Sequence, residues 1–232
     1  MAEQLSFDLP AKTALGREDF FVSPANALAV ATVDAATAWP GNKLVLSGPT
    51  GSGKTHLTHV WASQRGARIV SAAALTGDMV PDLAKGHVAV EDVPDIAGTP
   101  EAQSALFHLH NLVLAEGHTL LLTGRGDPTH WALPLPDLQS RLQGTHHVAL
   151  NPPDDALLAA VLAKLFADRQ LNPKPEVISY LVRHMDRAFD HAAGIVEDLD
   201  RIALAESRPI TRTFAARVLG AGQQSIQTAD DD

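Results

Sequence analysis

The residues best suited to chemistry stand together in Gly48-Pro49-Thr50-Gly51-Ser52-Gly53-Lys54-Thr55. Glycines at this spacing let backbone N–H groups turn inward on phosphate oxygens. Lys54 offers a compact positive charge to the β and γ positions, and the Thr55 hydroxyl offers a ligand to Mg²⁺. A chance glycine-rich turn is the alternative, and the flanking sequence weighs against it. Lys43 to Leu46 reads as an apolar strand entering the loop, and Thr55 to Gln64 as a helix leaving it, which is the context a phosphate-cradling loop requires. The implied ligand is a nucleoside triphosphate or diphosphate.

Such a loop needs an acidic partner at the end of a neighbouring strand, where carboxylates hold magnesium-bound waters and orient the attacking one. His87-Val88-Ala89-Val90-Glu91-Asp92 fits, with a solvated acidic turn as the plainer reading. Glu91 with Thr55 is the candidate metal pair, and Glu91, Asp92 and Arg141 are the candidate catalytic groups. Arg141 is able to reach a γ-phosphate in a neighbouring subunit, or else is a surface or lid-contacting cation. Arg125 lies near the phosphates or is an ordinary loop charge. The histidines show no metal spacing: His108 and His110 diverge on a helix, and adjacent His146 and His147 in a strand face opposite ways.

The elements that must hold these groups follow from periodicity. Strands fit Ala67 to Ser71, His87 to Val90 and Thr119 to Thr123, with helical stretches such as Pro100 to Glu116 between them, and Ser23 caps a helix running through Pro24 to Thr37. Alternation of this kind predicts an α/β fold, a parallel sheet covered by helices on both faces. After Asn151-Pro152-Pro153 only helices follow: Ala156 to Asp168 capped by Asp154 or Asp155, Glu176 to His184 opened by Pro175, Ile195 to Ala205, and a short one capped by Thr211. The expected division is a tail over 1–15, an α/β domain over 16–151, a small all-helical lid over 152–221 and a disordered tail over 222–232.

Composition sets the outer limits. The 232 residues suffice to bury a sizeable core, and the absence of cysteine excludes disulfides, thiolate metal sites and a cysteine nucleophile. A net charge of −9 argues against non-specific contact with a phosphate backbone. No signal peptide or membrane span is legible, so a cytoplasmic protein is expected.

Gly51-Ser52-Gly53-Lys54-Thr55-His56-Leu57-Thr58-His59 resembles the Walker A segment of the DnaA branch of AAA+ ATPases, where the loop runs on into Thr-His-Leu and a second His. Phe20-Phe21-Val22-Ser23-Pro24-Ala25-Asn26 resembles that branch's adenine-side entry. Glu91-Asp92 is similar to its Walker B pair, Thr123 to the end of its sensor 1 strand, and Ser140-Arg141-Leu142 to its arginine-finger box. The resemblance covers roughly residues 17 to 220. It implies a AAA+ core with a helical lid that binds ATP or ADP with Mg²⁺ through Phe21, Val22, Gly48 to Lys54, Thr55, His56 and a lid arginine. A gapless alignment puts Ala193 at the lid (sensor 2) arginine, with Arg187 about two turns earlier as the nearest substitute. Two further departures are Glu91 in place of the usual aspartate, and Gly124-Arg125 in place of the sensor 1 acid unless Asp127 fills it. Binding is thereby favoured over fast hydrolysis.

The first residues, Gln4-Leu5-Ser6-Phe7-Asp8-Leu9-Pro10, resemble the motif by which a regulator of this branch binds the DNA polymerase III sliding clamp (the beta subunit). Gln4, Leu5, Ser6, Phe7, Asp8 and Leu9 would then be the clamp-binding residues, Leu5, Phe7 and Leu9 serving as apolar anchors. Folding back onto the domain is the alternative use of these side chains. No helix-turn-helix DNA-binding segment is legible after the lid. The resemblance thus implies a regulator of replication initiation that promotes hydrolysis of DnaA-bound ATP, with the clamp and DnaA as partners and a homo-oligomer as a further option. A helicase loader of the DnaC type and a stand-alone small-molecule kinase are the rival readings.

Overall fold

The computed structural model describes residues 20–227, so residues 4–9 lie outside it. In chain order the α/β part runs α1 (Ala27–Asp34), β1 (Lys43–Ser47), α2 (Lys54–Arg65), β2 (Arg68–Ser71), α3 (Val80–Leu83), β3 (Val88–Glu91), α4 (Pro100–Ala115), β4 (Leu120–Gly124), α5 (Pro136–Gln143) and β5 (His147–Ala149). All pairings are parallel, and the strands lie in the order β2-β3-β4-β1-β5. Because β1 sits between β4 and β5 while its own crossover leads to the far edge, the carboxyl ends of the central strands open onto a crevice suited to a ligand.

The central strands read as unbroken apolar runs because both their faces are covered. Leu44, Val45, Leu46, Val88, Ala89, Val90 and Leu120 to Leu122 are wholly buried. Alternation then sorts them. Val45, Val88, Val90, Leu120 and Leu122 pack with α3, α4 and α5, whereas Leu44, Leu46, Ala89 and Leu121 pack with α1 and α2. In α4, Ala102, Leu106, Leu109 and Val113 form the inward stripe at helical spacing. Buried Gln103 ties loops to this layer, its Nε2 donating to the carbonyls of Ile96 and Ala97 and its Oε1 accepting from Leu135 N–H.

The lid comprises α6 (Asp155–Asp168), α7 (Pro175–His184), α8 (Phe189–Glu206) and α9 (Arg212–Gln227). It has a core of its own, centred on Leu158, Leu162, Phe166, Leu181, Val196 and Leu199. Asp154 caps α6, its carboxylate accepting from Leu157 N–H at 2.8 Å. Two lid helices exceed expectation. α8 begins at Phe189, ahead of Ile195, because an alanine-bearing stretch extends the helix once Ile195, Val196 and Leu199 anchor it. α9 runs to Gln227, into the segment expected to be disordered from residue 222; glutamines prolong a helix whose first turns are already packed.

At the other end α1 is shorter than expected. Ser23 opens a preceding turn, its carbonyl accepting from Asn26 and Ala27 N–H, and the helix starts only at Ala27. Among the described residues no helix is long and apolar enough to cross a membrane.

Gly124, at the end of β4, faces a tight environment: an added Cβ would lie 2.6 Å from Pro94 Cδ and closer still to the Trp131 ring. Gly124→Ala is therefore expected to cost about 1–3 kcal/mol by overpacking. In a chain of this size that lowers the melting temperature by about 2–4 °C per kcal/mol, which thermal unfolding will measure.

Candidate functional site

The loop between β1 and α2 is shaped by Gly51 (φ 67°) and Gly53 (φ 93°), conformations that side-chain-bearing residues rarely adopt. Gly53 caps the 12-residue α2, so the unpaired N–H groups of that helix's first turn face the loop and form an anion-binding end. Lys54 is buried to 8 % exposure, and its Nζ donates to the carbonyls of Gly48 (2.9 Å) and Pro49 (2.7 Å). Burial holds its ammonium below the usual lysine range and Arg125 adds to this, while Asp92, Asp190 and Glu91 oppose it. The Ser52 hydroxyl is buried without a hydrogen-bond partner inside the same loop.

Strand register brings the acidic pair to this loop. Val90 pairs with Leu122, so Glu91 and Asp92 emerge beside Thr123. Asp92 is left-handed (φ 56°) and donates its N–H to Thr123 Oγ at 3.2 Å. An aspartate tolerates that conformation better than most residues. The Glu91 carboxyl is pushed up by burial, with the Thr55 hydroxyl bond and His59 pulling the other way. Its Oε1 is buried and unpaired.

An orphaned carboxylate oxygen next to a threonine hydroxyl is a donor set that suits Mg²⁺, which takes few protein oxygens and completes its shell with water and phosphate. Among the described residues no group of three His, Asp or Glu gathers to hold a metal by itself. A divalent ion at Thr55 and Glu91 would therefore need phosphate oxygens as well.

In the entry segment before α1 it is Phe20 that reaches the loop. Phe20 is buried and meets the His56 ring edge-on at 5.0 Å, whereas Phe21 and Val22 are 37 % and 51 % exposed. The Phe21 carbonyl accepts from buried Asn26 Nδ2, which fixes this entry segment against α1.

The remaining candidates are scattered. Thr123 is buried near the carboxyl end of β4. The Asp127 carboxylate engages Thr129, accepting from its N–H at 2.8 Å and from its hydroxyl at 2.6 Å. Arg125 pairs with exposed Asp95 at 3.2 Å. Arg187 sits where the lid joins the core, pairing with Asp155 at 2.5 Å and donating to the Pro153 carbonyl. In the lid the residues at the phosphate loop are Phe189 and Asp190, which sequence reasoning missed. Phe189 N–H donates to the Gly51 carbonyl at 2.7 Å and its ring lies against Gly53. His108 is exposed and His110 buried, and His147 bonds the Ser47 hydroxyl at 2.6 Å while exposed His146 faces the α1 side.

Arg141 lies elsewhere. It is exposed in the last turn of α5, its guanidinium 5.3 Å from the centre of the Phe107 ring, in a groove also lined by Lys43, Asp137, Ser140 and Gly144. Lys43 begins β1 and the phosphate loop follows its last residue, Ser47, so the two sites are separated by the strand's length, roughly 13 Å. His110 stays neutral beneath this groove, lowered to about 4 by burial and by the charges of Lys43 and Arg141, and its Nε2 lies 3.3 Å from Lys43 Nζ.

The sheet order, the loop after β1, the acidic end of β3 and the helical lid together give the chain a P-loop fold of the AAA+ type. Residues 155–219 match the family model of the Hda lid domain. The fold is that of domain III of the Thermotoga maritima replication initiation protein DnaA, at 20 % identity and TM-score 0.79, over 92 % of this chain and 98 % of that one. AMPPCP-bound DnaA from Aquifex aeolicus is similar at 23 % identity and TM-score 0.64, over 79 % of this chain and 64 % of that one. The Thermotoga maritima RuvB branch migration motor is similar at 14 % identity and TM-score 0.65, over 84 % and 69 %.

Proposed function

We propose that this protein is a DnaA-related regulator of replication initiation that binds ATP or ADP with Mg²⁺ at its own loop and supplies Arg141 to ATP held by DnaA. One observation carries the reading: Arg141 stands at the opposite end of β1 from its own phosphate loop, exposed and with its guanidinium steadied over Phe107. An arginine so placed cannot serve its own nucleotide and is free to serve a neighbour's. Delivered in trans, it neutralises charge developing on the γ-phosphate, an effect worth about 10³–10⁵ in rate in GTPases. The Hda-type lid favours a regulator over a helicase loader, and the AMPPCP held by a structural neighbour favours an adenine nucleotide.

Glu91 and Thr55 would hold the metal, which would neutralise phosphate charge when bound. Asp92, held beside Thr123, would position water. The family's lid arginine has no counterpart at the loop, where Asp190 stands instead. This supports slow intrinsic hydrolysis and a nucleotide that sets conformation.

The clamp is the second partner in this reading, reached through Gln4, Leu5, Ser6, Phe7, Asp8 and Leu9. Combining Gln4→Ala, Leu5→Ala and Phe7→Ala is expected to weaken clamp binding at least about tenfold, since each anchor contributes roughly 1.5–3 kcal/mol when buried in a partner groove. The melting temperature should not move. Surface-immobilised clamp titrated with both proteins tests this; unchanged affinity, or a fall in melting temperature, would assign the tail to the domain instead.

A further inference from the structure

The Arg141 groove holds a second cation. Lys43, the first residue of β1, lines it with Phe107, Asp137 and Ser140, and its Nζ lies 3.3 Å from Nε2 of buried His110. His110 stays neutral and an ammonium can only donate, so Nε2 accepts from Lys43 and the ring hydrogen sits on Nδ1, 3.4 Å from Asn111 Oδ1. That bond uses one of three ammonium N–H groups and neutralises none of the charge. Burial holds the Lys43 ammonium below the usual lysine range, and the Arg141 guanidinium adds to this. Asp137 is the acid in the groove, and among the described residues no ion pair joins it to either cation.

Two like charges gathered over a neutral imidazole make a groove that an anion would complete. We infer that Lys43 reads the γ-phosphate of the nucleotide held by the neighbour, so that this protein engages a triphosphate-loaded partner in preference to a diphosphate-loaded one. This rests on the reading above, in which Arg141 acts on a neighbour's nucleotide. The two residues divide the task by their chemistry. The planar fork of Arg141 grips oxygens in a fixed geometry, whereas the Lys43 ammonium is a point charge that responds to negative charge more than to its arrangement. Once the γ-phosphate has left, the two cations face each other uncompensated, which favours release. Near a protein surface, unit charges several ångströms apart interact strongly enough to shift affinity by about tenfold or more.

Lys43 also serves the fold, since its ammonium gives the buried Nε2 of His110 a hydrogen-bond donor. Binding separates the two uses. Lys43→Gln keeps an N–H donor and removes the charge, and Lys43→Arg keeps the charge.

The test is equilibrium binding of the wild-type, Lys43→Gln and Lys43→Arg proteins to immobilised DnaA loaded with AMPPCP or with ADP, each with Mg²⁺ and with clamp loaded on DNA, together with thermal melts. Clamp affinity is common to both loads and cancels from their ratio. The expected result is a preference of about tenfold for the AMPPCP-loaded partner in the wild-type and Lys43→Arg proteins, falling below about threefold in Lys43→Gln. A preference kept by Lys43→Gln, or lost by Lys43→Arg as well, overturns the role, and so does an equal weakening of both loads with a lowered melting temperature. Equal binding of both loads by the wild-type protein also overturns it, while leaving the action of Arg141 on turnover standing. If the wild-type protein binds neither load, the underlying reading falls and this one with it.

Discussion

Lys54→Ala removes nucleotide binding from an otherwise intact protein. Lys54 Nζ is held at the loop rim by the Gly48 and Pro49 carbonyls, and those contacts point it into the cradle and away from both hydrophobic layers. A phosphate oxygen would replace them with charge-assisted bonds worth about 1.5–3 kcal/mol each. Two such bonds lost correspond to at least about a hundredfold in affinity. Stability should hardly change, because Lys54 contributes a desolvated cation to the fold and no apolar packing. Equilibrium binding of labelled ADP, with circular dichroism to confirm folding, checks this. A folded variant with wild-type affinity would remove the phosphate-loop assignment.

Arg141→Ala is expected to have the largest effect on the partner and almost none on the protein itself. With the groove and the loop at opposite ends of β1, own-site ADP affinity should stay within about twofold. The lost contact with Phe107 is exposed and contributes about 0.5–1 kcal/mol, too little to disturb the domain. In DnaA-bound ATP hydrolysis, however, a missing trans arginine should cost about 10³-fold in stimulated rate. Arg141→Lys should restore little of it, since a point charge lacks the planar fork that grips two oxygens at once.

Much of this site was legible because its chemistry is local. A phosphate loop needs particular residues at particular spacings, and the strand before it and helix after it announce themselves by apolar period. Thus Gly48 to Thr55 and the Glu91-Asp92 strand end came together as expected. The lid contact depends on how two packed units dock, which leaves no mark on spacing. Alignment pointed to Ala193, yet Asp190 reaches the loop. The two lie one turn apart on the same face of α8, so the face was legible and the turn was not. Whether Asp127 stands in for the acid absent at Gly124-Arg125 was open for similar reasons, since it depends on a turn in which Thr129 engages the Asp127 carboxylate. α5 went unread although Pro136 at its first position is a helix-start signal; eight residues bracketed by prolines and Gly144 give too short a period to recognise.

The central claim is that Arg141 works on a neighbour's nucleotide. The most direct measurement is turnover of ATP already bound to DnaA, in the presence of clamp loaded on DNA, with wild-type and Arg141→Ala proteins matched for clamp occupancy and for their own bound ADP. The account predicts strong stimulation by the wild-type protein and about basal turnover with Arg141→Ala. Full stimulation by Arg141→Ala would contradict it.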